Sequence, residues 1–456
     1  MIRGEVRITP HPSRALPSPI SCNANNGVPA CPLHCSGQRG ERARIARRFR
    51  RTLTWGPTAI SATDLPEPTL FPGDGDGPGN LSLATVGREF PIKQRRCYLN
   101  NASIGALSLP VIAAVDRFLH DVRDNGRNEY PNWCKYADTT IKQRIARLIG
   151  AKASEIAFVK NTTEGLGFVA NGYPWQRGDN VIIADIEYPS NVYCWVRLAK
   201  LGVEVRWVRN EQGRIRVGDI RALMDGRTRV VSLSAVQFSN GYRQDLESTA
   251  SLCNERGVLL NLDGIQWVGA LAIDVERMGI HFLSAGGHKW LLAPIGTGFF
   301  YCRQSVMDRI EPPTVGYHTV DKHEDHMDYD LVYRADAGRF EEALVNFPGI
   351  WGLDAAVRMQ LALGADGIER HVLALTGRAI EGLRRRGYEI ASPHGDGERS
   401  GIVSFRHPGG NAAAIADRLK ADGVDVAVRG GALRISPSYY NDAQEIDRFL
   451  ETLPST

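Results

Sequence analysis

The chain has 456 residues, of which 43% are hydrophobic and 23% are charged. This composition is typical of a globular protein with enough apolar material for a large core. It contains no run of about 18 consecutive apolar residues, so a transmembrane helix is not expected. The net charge of +4 resides in residues 1–80, and the rest of the chain is balanced. That balance argues against nucleic acid and against an anionic membrane as partners.

Residues 1–80 differ in composition from the rest of the chain. They hold 11 of the 24 prolines, nine glycines and ten arginines but no lysine, and they lack apolar periodicity. We expect a disordered tail, because such a segment cannot offset the entropy lost on ordering. The eight cysteines form no C-x-x-C pair and match no zinc spacing, so we expect no metal site and a cytoplasmic protein. The arginine-rich start leaves organellar targeting open.

From Leu81 onward, helical and strand patterns alternate along the chain. Amphipathic periodicity predicts helices at Ile112–Val122, Thr140–Ile149, Val192–Lys200, Val217–Met224 and Leu246–Arg256. Runs of β-branched and apolar residues predict strands at Ile156–Val159, Val181–Ile183, Val203–Val208, Arg229–Leu233 and Val258–Leu262. This alternation indicates an α/β fold around a mostly parallel sheet.

The pattern changes after Pro348. Two long helices are predicted first, and a mixture of strands and one helix follows them. These elements are Ile350–Leu363, Gly367–Arg385, Ile402–Phe405, Ala412–Asp422, Val424–Val428 and Leu433–Ser436. We therefore predict a large domain over residues 81–350 and a smaller α+β domain over residues 351–456.

Two residues in the large domain have the chemistry of a covalent ligand site. Asp263 ends an apolar strand, and groups at the carboxyl ends of strands line the ligand crevice of an open α/β sheet. Lys289 follows Gly286-Gly287-His288 and precedes the apolar run Trp290-Leu291-Leu292. Apolar surroundings disfavour the charged form of an amine, which suits a lysine that forms an imine.

The motif Asp263-x-x-Gln266, followed by His288-Lys289, resembles the class V aminotransferase superfamily of pyridoxal-phosphate enzymes. This superfamily includes cysteine desulfurases, isopenicillin N epimerases, kynureninases and C–S lyases. Six further landmarks occur in the expected order: 98–103 (YLNNAS), 161–165 (NTTEG), 187–191 (EYPSN), 296–298 (GTG), 339–341 (RFE) and 434–436 (RIS). The resemblance extends from about Tyr98 to Leu453. It implies fold type I, with a small domain built from both ends of the body, and a homodimer.

The resemblance assigns roles around the cofactor ring. Asp263 is the anionic partner of the ring nitrogen, because the ring acts as an electron sink only while that nitrogen is protonated. Gln266 hydrogen-bonds the ring hydroxyl, and Tyr188 takes the place of the aromatic residue that stacks on the ring. Lys289 holds pyridoxal 5'-phosphate as a Schiff base and shuttles the Cα proton.

The resemblance also assigns the phosphate and substrate contacts. Thr162 and Thr163 follow a predicted strand and open a helical pattern, so their amides and hydroxyls provide phosphate donors. His288 is an additional phosphate contact. Arg434 binds the substrate α-carboxylate through its paired donors, and Asn101 is a second substrate-binding residue.

The chain departs from the family pattern in three places. Gly286 stands where a Ser or Thr is common, and Ala343-Leu344 stands where Gly-Thr usually reaches the neighbouring subunit's phosphate. Cysteine desulfurases carry a reactive cysteine shortly before the carboxylate-binding arginine, but no cysteine follows Cys302 in this chain. A persulfide-forming desulfurase is therefore not expected.

These features predict an enzyme that acts on a small α-amino acid through an external aldimine and Cα deprotonation. Transamination and β-elimination, as in a C–S lyase, remain open. Epimerisation is an alternative, with Tyr188 or Tyr317 as a second proton donor. A catalytically retired scaffold protein is a further alternative, although retention of the Asp263 and Lys289 pattern argues against it. A dinucleotide-dependent dehydrogenase is not expected, because no G-x-G-x-x-G follows the first strand of the body.

Overall fold

The computed structural model describes residues 81–322, 327 and 329–456, so the predicted tail over residues 1–80 lies outside the described residues. Its α-helices are α1 Leu109–Asn125, α2 Tyr130–Tyr136, α3 Lys142–Ile149, α4 Thr162–Gly172, α5 Ser190–Val196, α6 Val217–Leu223, α7 Leu246–Glu255, α8 Phe347–Leu363, α9 Ala365–Arg385, α10 Ala412–Ala421 and α11 Ala443–Thr452. None of the helices in the described part of the chain has the length and hydropathy needed to cross a bilayer.

The strands form one large sheet, one small sheet and one short pair. They are β1 Cys97–Tyr98, β2 Ile156–Phe158, β3 Asn180–Ala184, β4 Glu204–Val208, β5 Thr228–Ser234, β6 Leu259–Asp263, β7 Phe282–Gly286, β8 Gly298–Cys302, β9 Glu389–Ile390, β10 Val403–Arg406, β11 Val424–Asp425, β12 Ala427–Arg429 and β13 Ala432–Ile435. Most predicted elements occur, with bounds that differ by a few residues.

The large sheet has seven strands in the order β2-β8-β7-β6-β5-β3-β4. Strands β4, β3, β5, β6 and β7 run parallel to one another, whereas β8 is antiparallel to both β7 and β2. The predicted α/β fold with a mostly parallel sheet is therefore confirmed. Residues of the central strands are buried throughout, as a sheet covered on both faces requires.

Strands β7 and β8 were not predicted from the sequence. Gly286 ends β7 and pairs with Gly298 at the start of β8. A Cβ atom at Gly298 would lie only 2.4 Å from the backbone oxygen of Ala285, so the two strands approach too closely there for any side chain. Glycine weakens the strand pattern in a sequence, but here it allows the close pairing that positions the following loop.

The small sheet is antiparallel, in the order β12-β13-β10-β9, and lies in the C-terminal part of the chain. The single strand predicted at Val424–Val428 is two strands, because β11 pairs with β1 while β12 pairs with β13. The parallel β1–β11 pair and a bridge between Asn100 and Ser436 attach residues 97–100 to this region. Residues 100–105 are thereby carried towards the carboxyl edge of the large sheet.

Candidate active site

Asp263 and Lys289 lie at the same edge of the large sheet. Asp263 is the last residue of β6, it is 2% exposed, and its Oδ1 accepts a hydrogen bond from the amide of Ile265 at 3.0 Å. Burial raises the pKa of Asp263 to about 6, against the opposing effects of that amide and of Lys289. Burial likewise lowers the pKa of Lys289 to about 8, while the attraction of Asp263 opposes the change. This edge of the sheet therefore brings together a buried amine and a buried carboxylate whose pKa values are both shifted by burial.

The backbone around Lys289 is held from both sides. The carbonyl of His288 accepts a hydrogen bond from the Gly105 amide at 2.8 Å, and the carbonyl of Lys289 accepts one from Leu292 at 3.1 Å. A Cβ atom at Gly105 would lie 2.1 Å from the Lys289 oxygen, so only glycine permits this approach. The segment over residues 100–105 therefore packs directly against the turn that carries Lys289.

Tyr188 presents an aromatic face beside the lysine. The Nζ of Lys289 lies 5.6 Å from the centroid of the Tyr188 ring. Phe238 contacts this ring edge-on, with 5.1 Å between the ring centroids. Tyr188 is 45% exposed, so a large part of its ring is free to stack on a planar ligand.

A buried polar network lies beneath Tyr188. The carboxylate of Glu187 accepts hydrogen bonds from the Ser234 amide at 2.8 Å, from Gln237 Nε2 at 2.9 Å and from Asn191 Nδ2 at 3.0 Å. Burial raises the pKa of Glu187 to about 7, although these donors favour the charged form. The network links β5 to the segment that carries Tyr188, and so helps to orient the ring.

The N-terminus of α4 meets the end of β7. Thr162 is the first residue of the helix, and its Oγ1 accepts a hydrogen bond from the Gly286 amide at 2.9 Å. The hydroxyls of Thr163 and Ser190 lie 2.8 Å apart, which adds a second pair of hydroxyls at this end. First-turn amides of a helix have no partner within the helix and attract anions. The arrangement therefore suits a phosphate.

His288 and Gly286 are packed together near the helix terminus. Burial lowers the pKa of His288, and the charge of Lys289 lowers it further, so the neutral imidazole is favoured. A Cβ atom at Gly286 would lie 3.2 Å from both the His288 ring and the Cδ1 of Ile265. This crowding is a physical reason for glycine at a position where relatives often carry a hydroxyl residue.

Arg434 is a buried cation at the edge of the site. It is 1% exposed, its Nη1 donates to the Phe238 carbonyl at 2.5 Å and its Nη2 donates to Ser103 Oγ at 2.9 Å. Its Nε is buried without a hydrogen-bond partner, and no acidic side chain of the described chain forms an ion pair with it. Burial lowers the pKa of Arg434 to about 10, with a further contribution from Arg429. A buried guanidinium in this state favours an anionic ligand.

Asn101 and Gln266 are already bonded within the protein. Asn101 is fully buried, its Nδ2 donates to the Ser436 carbonyl at 2.9 Å, and its Oδ1 accepts from Tyr440 at 2.8 Å. This burial argues against the predicted contact of Asn101 with the substrate, which stays a prediction. Gln266 Oε1 accepts from Trp290 Nε1 at 2.8 Å, and its Nε2 donates to the Ala102 carbonyl at 3.1 Å.

Sequence reasoning missed three residues of this site. Ser103 belongs to the family landmark over residues 98–103, but only the structure shows that it contacts Arg434. Ser190 likewise lies in a landmark, and the fold brings it to Thr163. Arg429 has no local signal at all; the β12–β13 hairpin carries it to Ser103, where its Nη2 lies 3.4 Å from Oγ.

The segment Ala343-Leu344, where relatives carry Gly-Thr, lines a cavity of about 270 Å³ with Phe158, Glu164 and Thr297. Leu344 is 61% exposed.

Comparison with known proteins identifies the family of the chain. The family model for aminotransferase class-V matches residues 97–449. A probable cysteine desulfurase of Methanothermobacter thermautotrophicus is 30% identical over 398 residues, which are 81% of this chain and 96% of that protein. The apo structure of a cysteine desulfurase from Thermococcus onnurineus matches with a TM-score of 0.72 at 25% identity, covering 81% of this chain and 96% of that one.

A cystine C–S lyase, solved as a complex with its product cysteine persulfide, has a TM-score of 0.73 at 21% identity. The match covers 79% of this chain and 98% of that one, and it shows the shared fold. The predicted resemblance and fold type I are therefore confirmed: the chain belongs to the class-V aminotransferase family of enzymes and is cysteine desulfurase-like.

Proposed function

We propose that this class-V family enzyme binds pyridoxal phosphate at Lys289 and cleaves a small α-amino acid by β-elimination, as a C–S lyase does. The observation that carries the proposal is the convergence of Lys289, the buried carboxylate of Asp263 and the buried guanidinium of Arg434, whose Nε has no hydrogen-bond partner. An amine with a pKa of about 8 is available to a carbonyl compound at mildly alkaline pH. The guanidinium matches the α-carboxylate of an amino acid.

The residues fit pyridoxal phosphate. Asp263 would hold the ring nitrogen, Tyr188 would stack on the ring, and Gln266 has a second amide hydrogen for the ring hydroxyl. The start of α4 at Thr162 and Thr163 would hold the phosphate. When bound, this cofactor supplies a ring that stabilises the electron pair left on Cα.

Two residues of the chain would have separate roles in the reaction. Arg434 binds the substrate carboxylate and sets the orientation of Cα. The Nζ of Lys289 accepts the Cα proton, and the lowered pKa of the amine suits such a transfer. The closure of residues 100–105 over the lysine turn limits the access of water.

A persulfide relay through a cysteine is not part of this proposal. The hairpin that leads to Arg434 turns at Gly430-Gly431, with φ of +54° and +74°, and carries no cysteine. Among the described cysteines, Cys194 is affected by Asp263: burial raises the pKa of its thiol to about 12, and the charge of Asp263 acts in the same direction. A thiol in this state is a poor nucleophile. The relatives named as cysteine desulfurases therefore support C–S chemistry here without supporting their sulfur transfer.

The test is the absorbance spectrum of the purified protein with added pyridoxal phosphate, compared with Lys289→Ala and with the exposed control Lys200→Ala. We expect a visible band from lysine-bound cofactor in the wild type and in Lys200→Ala only. Its absence from the wild type would refute the cofactor assignment.

Product analysis with S-substituted cysteines then tests the reaction. Pyruvate and a free thiol, formed without an added keto acid, are expected for β-elimination. Turnover only with an added keto acid would assign transamination instead, and inversion at Cα without either product would assign an epimerase. The homodimer implied by the family resemblance is tested separately by the mass of the protein in solution.

A further inference from the structure

A second cation converges with Arg434 on one hydroxyl group. Ser103 Oγ donates its proton to Asn100 Oδ1 at 2.7 Å, so its lone pairs remain for acceptance. Arg434 Nη2 donates to this oxygen at 2.9 Å, and Arg429 Nη2 lies 3.4 Å from it. The two Nη2 atoms are therefore no more than about 6 Å apart. Two guanidinium groups thus converge on the same oxygen.

This arrangement carries uncompensated positive charge. No acidic side chain within the described residues forms an ion pair with Arg429 or with Arg434, and Arg434 Nε is buried and unpartnered. Like charges at this separation repel, and Arg429 correspondingly lowers the pKa of both Arg434 and Lys289. An anion placed between the two groups would remove the repulsion and satisfy the buried donor.

The backbone positions Arg429 for this role. Arg429 is the last residue of β12 and pairs with Ala432 across the Gly430-Gly431 turn. Positive φ at both central residues gives the tight hairpin geometry in which glycine is favoured. Arg429 is exposed, whereas Arg434 is buried, so one cation of the pair lies in the interior and the other reaches solvent.

We infer that Arg429 is a specificity residue for a second anionic group, and that the preferred substrate is an α-amino acid whose side chain ends in an anion such as a carboxylate. Arg434 takes the α-carboxylate, and Arg429 takes the anionic end of the side chain. The inference rests on the proposed function for the identity of the reacting molecule. The dianion site itself depends only on the two arginines and Ser103.

Binding of succinate and of its neutral isostere succinamate to the purified full-length protein, measured by titration calorimetry, tests the dianion site without turnover. We expect wild-type protein to bind succinate about tenfold more tightly than succinamate, as one additional charge-assisted contact provides. Arg429→Gln should bring the two dissociation constants together, with succinamate unchanged, and Arg429→Lys should restore part of the preference. The exposed control Arg406→Gln should retain the whole preference.

The inference is overturned if wild-type protein binds the two ligands equally or binds neither, or if Arg429→Gln keeps the preference. Turnover of S-carboxymethylcysteine against S-carbamoylmethylcysteine extends the test to substrates. Elimination from either breaks the Cβ–S bond, the Cα proton goes to Lys289, and the sulfur leaves with the bonding pair as a thiolate; the remaining fragment takes up water to give pyruvate and ammonia. A succinate preference without a cofactor band would refute the proposed function alone, whereas a cofactor band without the preference would refute this inference alone.

Discussion

Replacement of Asp263 by Asn tests the electrostatics of the site most directly. The two side chains have the same shape, and the Asn Oδ1 can still accept the hydrogen bond from Ile265. The pKa of Asp263 rises from 3.8 to about 6 on folding. A shift of about two units corresponds to roughly 3 kcal/mol of unfolding free energy, with the folded state favoured when the carboxyl is protonated. Wild-type protein without cofactor should therefore lose stability as the pH rises from 4 to 7.

Asp263→Asn lacks this ionisation, so the variant should gain about 2 kcal/mol over wild type between pH 4 and pH 7. Equilibrium urea unfolding of the cofactor-free protein, followed by tryptophan fluorescence, measures the difference at each pH. The same change at the exposed Asp417 is the control for removing one carboxylate from the protein surface. The variant should also lose turnover, because a neutral amide cannot hold a cationic ring nitrogen.

A constant difference between Asp263→Asn and wild type across this pH range would show that burial does not perturb this carboxyl as argued. A variant that is less stable than wild type at pH 7 would refute the reasoning outright. In that case Asp263 would stabilise the fold, and its position at the end of β6 would be explained by a structural role without a bound ligand.

Further substitutions test the geometry around the lysine. Tyr188→Ala should change the free energy of unfolding by less than about 1 kcal/mol, because the ring is 45% exposed, but should weaken pyridoxal-phosphate binding about 3- to 10-fold in a spectroscopic titration. Tyr193→Ala, at a residue 70% exposed, should leave both unchanged. Gly105→Ala places a Cβ atom 2.1 Å from the Lys289 oxygen and should cost about 1–3 kcal/mol in urea unfolding and reduce turnover. Gly409→Ala meets no atom within 4 Å and should behave as wild type; equal effects of the two glycine changes would contradict the proposed contact.

The sequence alone determined the class of fold and predicted the pair of Asp263 and Lys289 as the candidate site. Alternating strand and helix patterns specify an α/β sheet because each element needs a local periodicity to bury one face. Asp263 follows such a strand directly, and Lys289 follows a glycine pair and precedes an apolar run. Both signals are local, so they can be read without knowing which strands are neighbours. The absence of cysteine after Cys302 is likewise a property of the sequence itself.

Only the tertiary structure decided what surrounds that pair. Ser103 and Arg429 are 326 positions apart, and they meet because β1 pairs with β11 while β12 folds back on β13. The sequence of Val424–Val428 does not show where the strand that pairs with β1 ends and the strand that pairs with β13 begins. Contacts of this kind depend on which strands pair. The residues next to Arg429 in the sequence do not indicate which distant residue the pairing brings to it. The proximity of the two arginines therefore follows from the topology of the small sheet and of the β1–β11 pair.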